Sequence, residues 1–475
     1  MNKKSILFIT HHNNDFDHFL PLICNYVQNK DFVVKILAFY SNDEILKNKL
    51  HQHICRENSI ELESMAEVCH LKALNYFINN IYSYSLTSKE SKKTKNIVEK
   101  INQAIIGFLK SPKNTILQYS KLMILRYHVI CSIFMLNENK IKEYIKLNNI
   151  DLLIIDQRSV DKELISSNPF KGFIDSYLRK IDPMNLVLFR VTNVARKCGI
   201  PIFMMPHGPQ PISQGNLDKR NKLRIENQKN PFRPDHLILC SSKEINSLHY
   251  MKGLKSTSCL GDPRFDIEWI NYLESCALEA YESTISKPVG KIVLLYLMDI
   301  FTYDVENNLS FKQEMNKDIL SLVNYFPELE IWVKHHPRDV YKISLDFIDI
   351  NRRNNIKQFG NDTDTNILLA KADICLAASS TVLISPILQK KPVIFYSKWK
   401  NVLQNVTCIY DGMTFEASSK EQLIEMVELI KNSNYSIKDS FLQPFYKNVF
   451  SGECLYENML EKYIVKIDEI LEKPM

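Results

Sequence analysis

Eleven glycines in 475 residues is a low count, and the chain leans on Lys, Asn and Ile instead. Glycine is retained where a backbone needs positive φ or something must approach it closely, so each remaining one is informative. Gly208 and Gly261 sit in two loops taken up below, and Gly215 lies just beyond the first of them. Paired cysteines are missing as well. The 11 cysteines, from Cys24 to Cys454, include no CxxC and no Cys/His pair at ligand spacing. That argues against a structural zinc and suits a reducing compartment. Cys131, Cys240 and Cys375 fall inside apolar runs, where a thiol behaves as a small hydrophobe. No apolar stretch approaches the roughly 18 residues that a membrane-spanning helix needs. The N-terminal apolar run, residues 6–9, is too short for the core of a signal peptide and suits a first strand. Long Lys/Arg runs and aromatic–basic alternation are absent, and a formal charge of +6 is small for this length, so nucleic acid is not an expected partner. Repeats and low-complexity tracts are lacking too. What is present is 45% hydrophobic and 24% charged, a globular composition, in a chain long enough for two domains.

The apolar runs give the order of elements. Residues 5–9 read as a strand, 11–18 as a polar loop leading into a helix from about Phe19, and 32–40 as a second strand. Residues 46–149 read as helical without clear strands, and 89–126 within them are basic, with Lys92, Lys93, Lys95, Lys100, Lys110, Lys113 and Lys121. Strands resume at 151–156 (DLLIID), 200–205 (IPIFMM), 235–240 (DHLILC) and a short run ending at Leu260. Residues 274–290 read as a connection, after which strands return at 291–297 and 330–334. In 366–396, a helix end is followed by a strand at 374–377, the hydroxyls Ser379, Ser380 and Thr381, a helical run and a strand at 392–396. That is the repeating unit of a parallel α/β sheet. After Asp411 the pattern is mostly helical, with an amphipathic helix at 455–471. The expected architecture is two Rossmann-like α/β domains facing across a cleft: 1–275 with a helical insertion at about 46–149, then 276–450, then a C-terminal helix within 451–475.

Five loops carry chemistry. The first, residues 11–18, holds His11, Asp15 and Asp17 at a strand end, suited to a general base or to acceptor binding, or else a solvated turn with Asp17 as helix cap. The second places His207 and Gly208 between Pro206 and Pro209, which restrict the backbone and hold the imidazole where a base or phosphate donor would stand. In the third, 260–266, Arg264 can pair with a phosphate or with Asp266, and a turn held by an internal ion pair is the alternative. The fourth, Lys334-His335-His336-Pro337-Arg338, gathers cationic donors after a buried strand and matches a diphosphate; a metal would need more ligands than Asp339 provides. The fifth is Ser379-Ser380-Thr381, a helix cap or a phosphate contact at a helix start.

The succession PHGP, GDPRFD, KHHPR and ADICLAASSTVLISPILQKKPVIFY, spanning roughly residues 200–400, resembles GT-B transferases of bacterial surface polysaccharides. The pattern is similar to the CDP-glycerol glycerophosphotransferases of teichoic acid synthesis and the capsule Kdo- and polysialyltransferases. The resemblance implies a donor-phosphate site at His336, Pro337, Ser379 and Ser380, with Thr381, Lys334 and Arg338 in support, and a base at His207 beside Gly208. It also matches Gly261–Asp266 to a Gly-x-Pro-Arg-x-Asp element. Where the glycerophosphotransferases have a Trp-His-Gly-Thr-like element, this chain has Met-Pro before His207 and Pro209 after Gly208, which favours a sugar donor.

The expectation is therefore a metal-independent glycosyltransferase without a cofactor. It would move a sugar from a nucleotide-activated donor to a surface glycan or lipid-linked glycan, with His207 or Asp17 as base and Gly208, Arg264, Asp15 and His11 around the cleft. A CDP-glycerol-type transferase, a sugar-nucleotide epimerase and a non-catalytic glycan- or nucleotide-binding protein are the alternatives. The expected location is cytoplasmic. The basic segment suits the anionic inner face of the plasma membrane, and equally a solvated helical face.

Overall fold

The structure, a computed structural model, describes residues 3–10, 13–38, 45–68, 138–156, 183–206, 234–242, 254–298, 305–336, 350–360, 362–378, 380–398, 413–433, 437–450 and 458–472. The basic segment 89–126 and most of the expected insertion lie outside these residues.

Strands β1 (Lys4–Thr10), β2 (Phe32–Ala38), β3 (Glu63–Ser64), β4 (Leu152–Asp156), β5 (Ile202–Met205), β6 (His236–Leu239) and β7 (Ser256–Cys259) form one sheet in the order β3-β2-β1-β4-β5-β6-β7. A second sheet contains β8 (Ile292–Leu297), β9 (Leu329–Lys334), β10 (Ile356–Phe359), β11 (Ile374–Ala377), β12 (Val393–Tyr396) and β13 (Phe415–Ala417), in the order β10-β9-β8-β11-β12-β13. All pairings in both sheets are parallel. Each sheet grows outward both ways from its first strand. The order therefore reverses between β1 and β4 and between β8 and β11, and ligands of such sheets bind beyond the strand carboxyl ends at that point.

The apolar runs become strands because both faces are covered. In β1 only Lys4 is exposed, as expected for a parallel strand with a layer on either side. Its residues alternate between two cores: Ile6 and Phe8 face one, Leu7 and Ile9 the other. β8 does the same, with Val293 and Leu295 on one side and Leu294 and Tyr296 on the other. Each sheet has its own outer core, and a third, continuous core joins their inner faces. That shared core includes Phe19, Trp269, Leu295, Trp332, Phe450 and Tyr463.

Several expectations need correction. The stretch 11–18 is not a loop throughout, because helix Asn13–Gln28 already includes Asp15, Asp17 and His18. A carboxylate at Asp15 in its first turn suits the positive end of the helix dipole. The connection expected from residue 274 is partly helix, Ile267–Ala280, capped by Asp266. Three strands escaped sequence reading: β3, β10 and β13. All lie at sheet edges, and their short, partly exposed sequences lack the apolar run that marks a central strand. The terminal helix Met459–Glu472 is present and returns to the first half. There the Tyr463 hydroxyl donates to the Gly261 carbonyl at 2.8 Å, and Lys4 Nζ donates to the Leu471 carbonyl at 3.0 Å. Among the described residues, no helix is long and apolar enough to cross a membrane.

Candidate functional site

At the carboxyl edge of the second sheet, β9 and β11 flank β8. Their ends are thus two strand spacings apart, roughly 10 Å. β9 delivers Lys334, His335 and His336; β11 delivers Ala378 and, two residues on, Ser380 followed by Thr381. His336 and Thr381 are half-buried. Ser380 is the cap of the 3-10 turn Thr381–Leu383, its hydroxyl accepting from the Val382 N–H at 3.4 Å, and the turn runs on into helix Ile384–Leu388. Lys334 is 7% exposed, and its Nζ donates to the Gly360 carbonyl at 2.5 Å. Burial lowers its pKa from the ordinary lysine value, against the opposing pull of the Asp364 and Asp362 carboxylates. His335 turns toward β10, with Nε2 2.9 Å from Gln358 Oε1. Pro337, Arg338 and Ser379 lie outside the described residues.

At the facing edge of the first half, charged groups are matched among themselves. His18 Nδ1 donates to Asp156 Oδ1 at 3.1 Å, and both side chains are buried. Burial and the nearby Arg264 guanidinium hold this imidazole below its ordinary value, although Asp156 pulls the other way. Arg264 donates through Nε to Asp262 Oδ1 at 3.1 Å and through Nη2 to Oδ2 at 2.7 Å. This fork differs from the expected pairing with Asp266, whose oxygens are used elsewhere. Asp266 Oδ1 accepts from the Glu268 N–H at 3.0 Å and Oδ2 from the Met459 N–H at 2.9 Å. Burial opposes charge on both Asp262 and Arg264. Each outweighs that for the other, so Asp262 sits below and Arg264 above its ordinary value. Asp17, on the first helix, accepts from His51 Nε2 at 2.6 Å. Asp15 is buried. His11, His207 and Gly208 lie outside the described residues.

The motif GDPRFD thus has a structural account. Gly261 has φ of +80°, and a Cβ there would collide with the Met459 side chain; Asp262 holds Arg264, and Asp266 ties the helix after it to the terminal helix. Sequence reading missed His51, Asn48, Asp156 and Asp364. Asp156, a carboxylate closing an apolar strand, was available as a signal; the others acquire meaning only once helix Lys49–Glu57 is placed. Among the described residues no group of three or more His, Cys, Asp or Glu side chains is arranged to hold a metal ion.

No family model and no curated protein matches the chain. Solved structures do. The chain is similar to a UDP-N-acetylglucosamine 2-epimerase at 11% identity, covering 100% of this chain and 99% of that one with a TM-score of 0.51. It is similar to the UDP-GlcNAc 2-epimerase of Methanocaldococcus jannaschii at 14% identity, 98% and 99% coverage and a TM-score of 0.50. A glycotransferase of kitacinnamycin aligns at 10% identity, 99% and 100% coverage and a TM-score of 0.49. The two parallel sheets of seven and six strands form the two-domain GT-B-type α/β fold of these neighbours. At such identity the likeness is one of fold.

Proposed function

We propose that this chain is a nucleotide-sugar enzyme of the GT-B type, and that its reaction is transfer of the sugar to a hydroxyl of a surface or lipid-linked glycan. The observation that supports this best is the common edge shared by His336 and the Ser380–Thr381 turn on either side of β8. In this reading His336, Ser379, Ser380 and Thr381 hold the donor phosphates. Pro337 fixes the loop, Arg338 adds charge, and Lys334 sets the position of its two histidine neighbours. The acceptor hydroxyl forms a bond to the anomeric carbon as the bond from that carbon to the phosphate oxygen breaks. The hydroxyl proton passes to His207 or Asp17, and the nucleotide leaves with both electrons of the broken bond. Fixed donors aimed at the leaving phosphate stabilise the charge that grows there. Gly208, Arg264, Asp15 and His11 flank the acceptor side, and domain closure would keep water from the donor.

A second reading, sugar-nucleotide epimerisation, is favoured by full-length similarity to two UDP-GlcNAc 2-epimerases at TM-scores of 0.51 and 0.50. Such an enzyme needs no acceptor. Purified protein incubated with UDP-, CDP-, GDP- and CMP-linked sugars, with and without glycan acceptors, separates the cases by NMR of the products. Product that forms only with acceptor supports transfer; a new sugar nucleotide without acceptor supports epimerisation. Donor binding with neither product would leave a binding protein and overturn both.

A further inference from the structure

His51 lies on helix Lys49–Glu57 and is 1% exposed. Its Nδ1 is 3.2 Å from the Ile45 carbonyl oxygen and its Nε2 2.6 Å from Asp17 Oδ1. A carbonyl and a carboxylate only accept hydrogen bonds, so both ring nitrogens must carry a proton. His51 is therefore a buried imidazolium.

The groups around His51 come from both halves of the chain. From the first helix come Asp17 and the Phe16 ring, edge-on to the imidazole at 5.2 Å between centroids. From the second half comes Asp364, which caps helix Thr365–Lys371 and accepts from Asn48 Nδ2 at 2.6 Å. The Asp364 N–H also donates to the Tyr281 hydroxyl at 3.2 Å, and Lys49 on His51's own helix stands over the Tyr281 ring. The Asp17 and Asp364 carboxylates both favour a charged His51, and each also favours the charge on a further cation, Arg264 and Lys334 respectively.

We propose that the His51–Asp17 pair, on the same helix start whose Asn48 holds Asp364, is a proton-operated latch between the two halves. Burial works against a charged His51. The Asp17 carboxylate, with Asp364 and the Ile45 carbonyl, outweighs it and raises the imidazole above its ordinary value. A group raised on folding stabilises fully below its unfolded value, 6.5, and that contribution is lost as pH rises through the higher folded value. On losing its proton, His51 can donate to only one of its two acceptors. Asp17 and Asp364 then lose the cation that both favour, and the junction loosens on the alkaline side.

The test follows the His51 ring by NMR of the full chain with isotope-labelled histidine. The resonance is assigned by its loss in His51→Gln or, should that variant not fold, by its contact with the Phe16 ring. Asp364→Asn keeps an acceptor for Asn48 and for the helix cap while removing the charge. The wild-type ring should titrate above 6.5, and Asp364→Asn should lower that midpoint by at least about half a pH unit. Small-angle scattering should show the radius of gyration rising through the same midpoint. A His51 midpoint at or below 6.5, an unmoved midpoint in Asp364→Asn, or a radius of gyration independent of pH would each overturn the latch.

Discussion

The two sheet edges that carry the candidate residues differ in how deeply those residues are buried. On the first half, the described charged groups are satisfied at home: His18 by Asp156, Arg264 by Asp262, Asp17 by His51. On the second half, β9 and β11 lead into half-buried groups, His336, Ser380 and Thr381. Buried pairs fix geometry and are costly to disturb; half-buried polar groups at a strand carboxyl edge can be reached by a ligand. The proposal that the second edge takes the donor phosphates rests on that difference. It also accounts for GDPRFD as a staple: Asp262 holds Arg264, and Asp266 caps one helix and ties it to the terminal helix.

That contrast can be broken from either side. The largest effect is expected at His336. Replacing it with Ala should lower kcat/KM for a nucleotide-sugar reaction by about 100- to 1,000-fold, with circular dichroism and melting midpoint unchanged. On the framework side, Asp262→Asn leaves the Arg264 guanidinium without its counter-charge. A fully buried pair broken this way costs about 3–5 kcal/mol, and with Arg264 at 23% side-chain exposure about 2–3 kcal/mol is expected in urea unfolding. The same pair gives a pH signature. Because the folded Asp262 value is lowered, its contribution is present above the unfolded 3.8 and lost as pH falls through the folded value. Wild type and Asp262→Asn should therefore converge in stability toward strongly acid pH. Gly261→Ala forces a non-glycine residue to φ +80° against Met459 and should cost about 1–3 kcal/mol, read as a lower melting midpoint. The smallest stability change is expected at Ser380→Ala, because its capping contact is long. Well under about 1 kcal/mol should be lost, while donor affinity falls about tenfold. A stability loss with unchanged affinity would make Ser380 a cap and nothing more.

How much of this was legible in the sequence depended on burial. The central strands β1, β4, β8, β9, β11 and β12 are announced by continuous apolar runs, because parallel strands covered on both faces allow little else. The edge strands β3, β10 and β13 carry no such signal. The strand–hydroxyl–helix–strand unit at 374–396 was readable for the same reason, and with it the shared edge of His336 and Ser380. The terminal helix was legible from its period, but its docking on the first half was not, since that rests on Gly261 and Asp266 nearly 200 residues away. The Arg264 pairing was half legible: an internal ion pair could be read, but not its partner. Both Asp262 and Asp266 are within reach in sequence, and the choice is made by Asp266 being needed as a helix cap. His51 was invisible. Nothing in LHQHIC marks His51 as a cation; that comes from the acceptors Asp17 and Ile45, brought to it by segments outside its helix.

The central claim, that the second sheet's edge binds the phosphates of a nucleotide-activated donor, is tested most directly by comparing the melting midpoints of wild type and His336→Ala with UDP, CDP, GDP and CMP and with the corresponding nucleosides. A ligand of the native state raises the midpoint. The account predicts that at least one nucleotide stabilises the wild type, that its nucleoside does not, and that His336→Ala loses the effect. Stabilisation by nucleoside and nucleotide alike, or an equal shift in the variant, would contradict it.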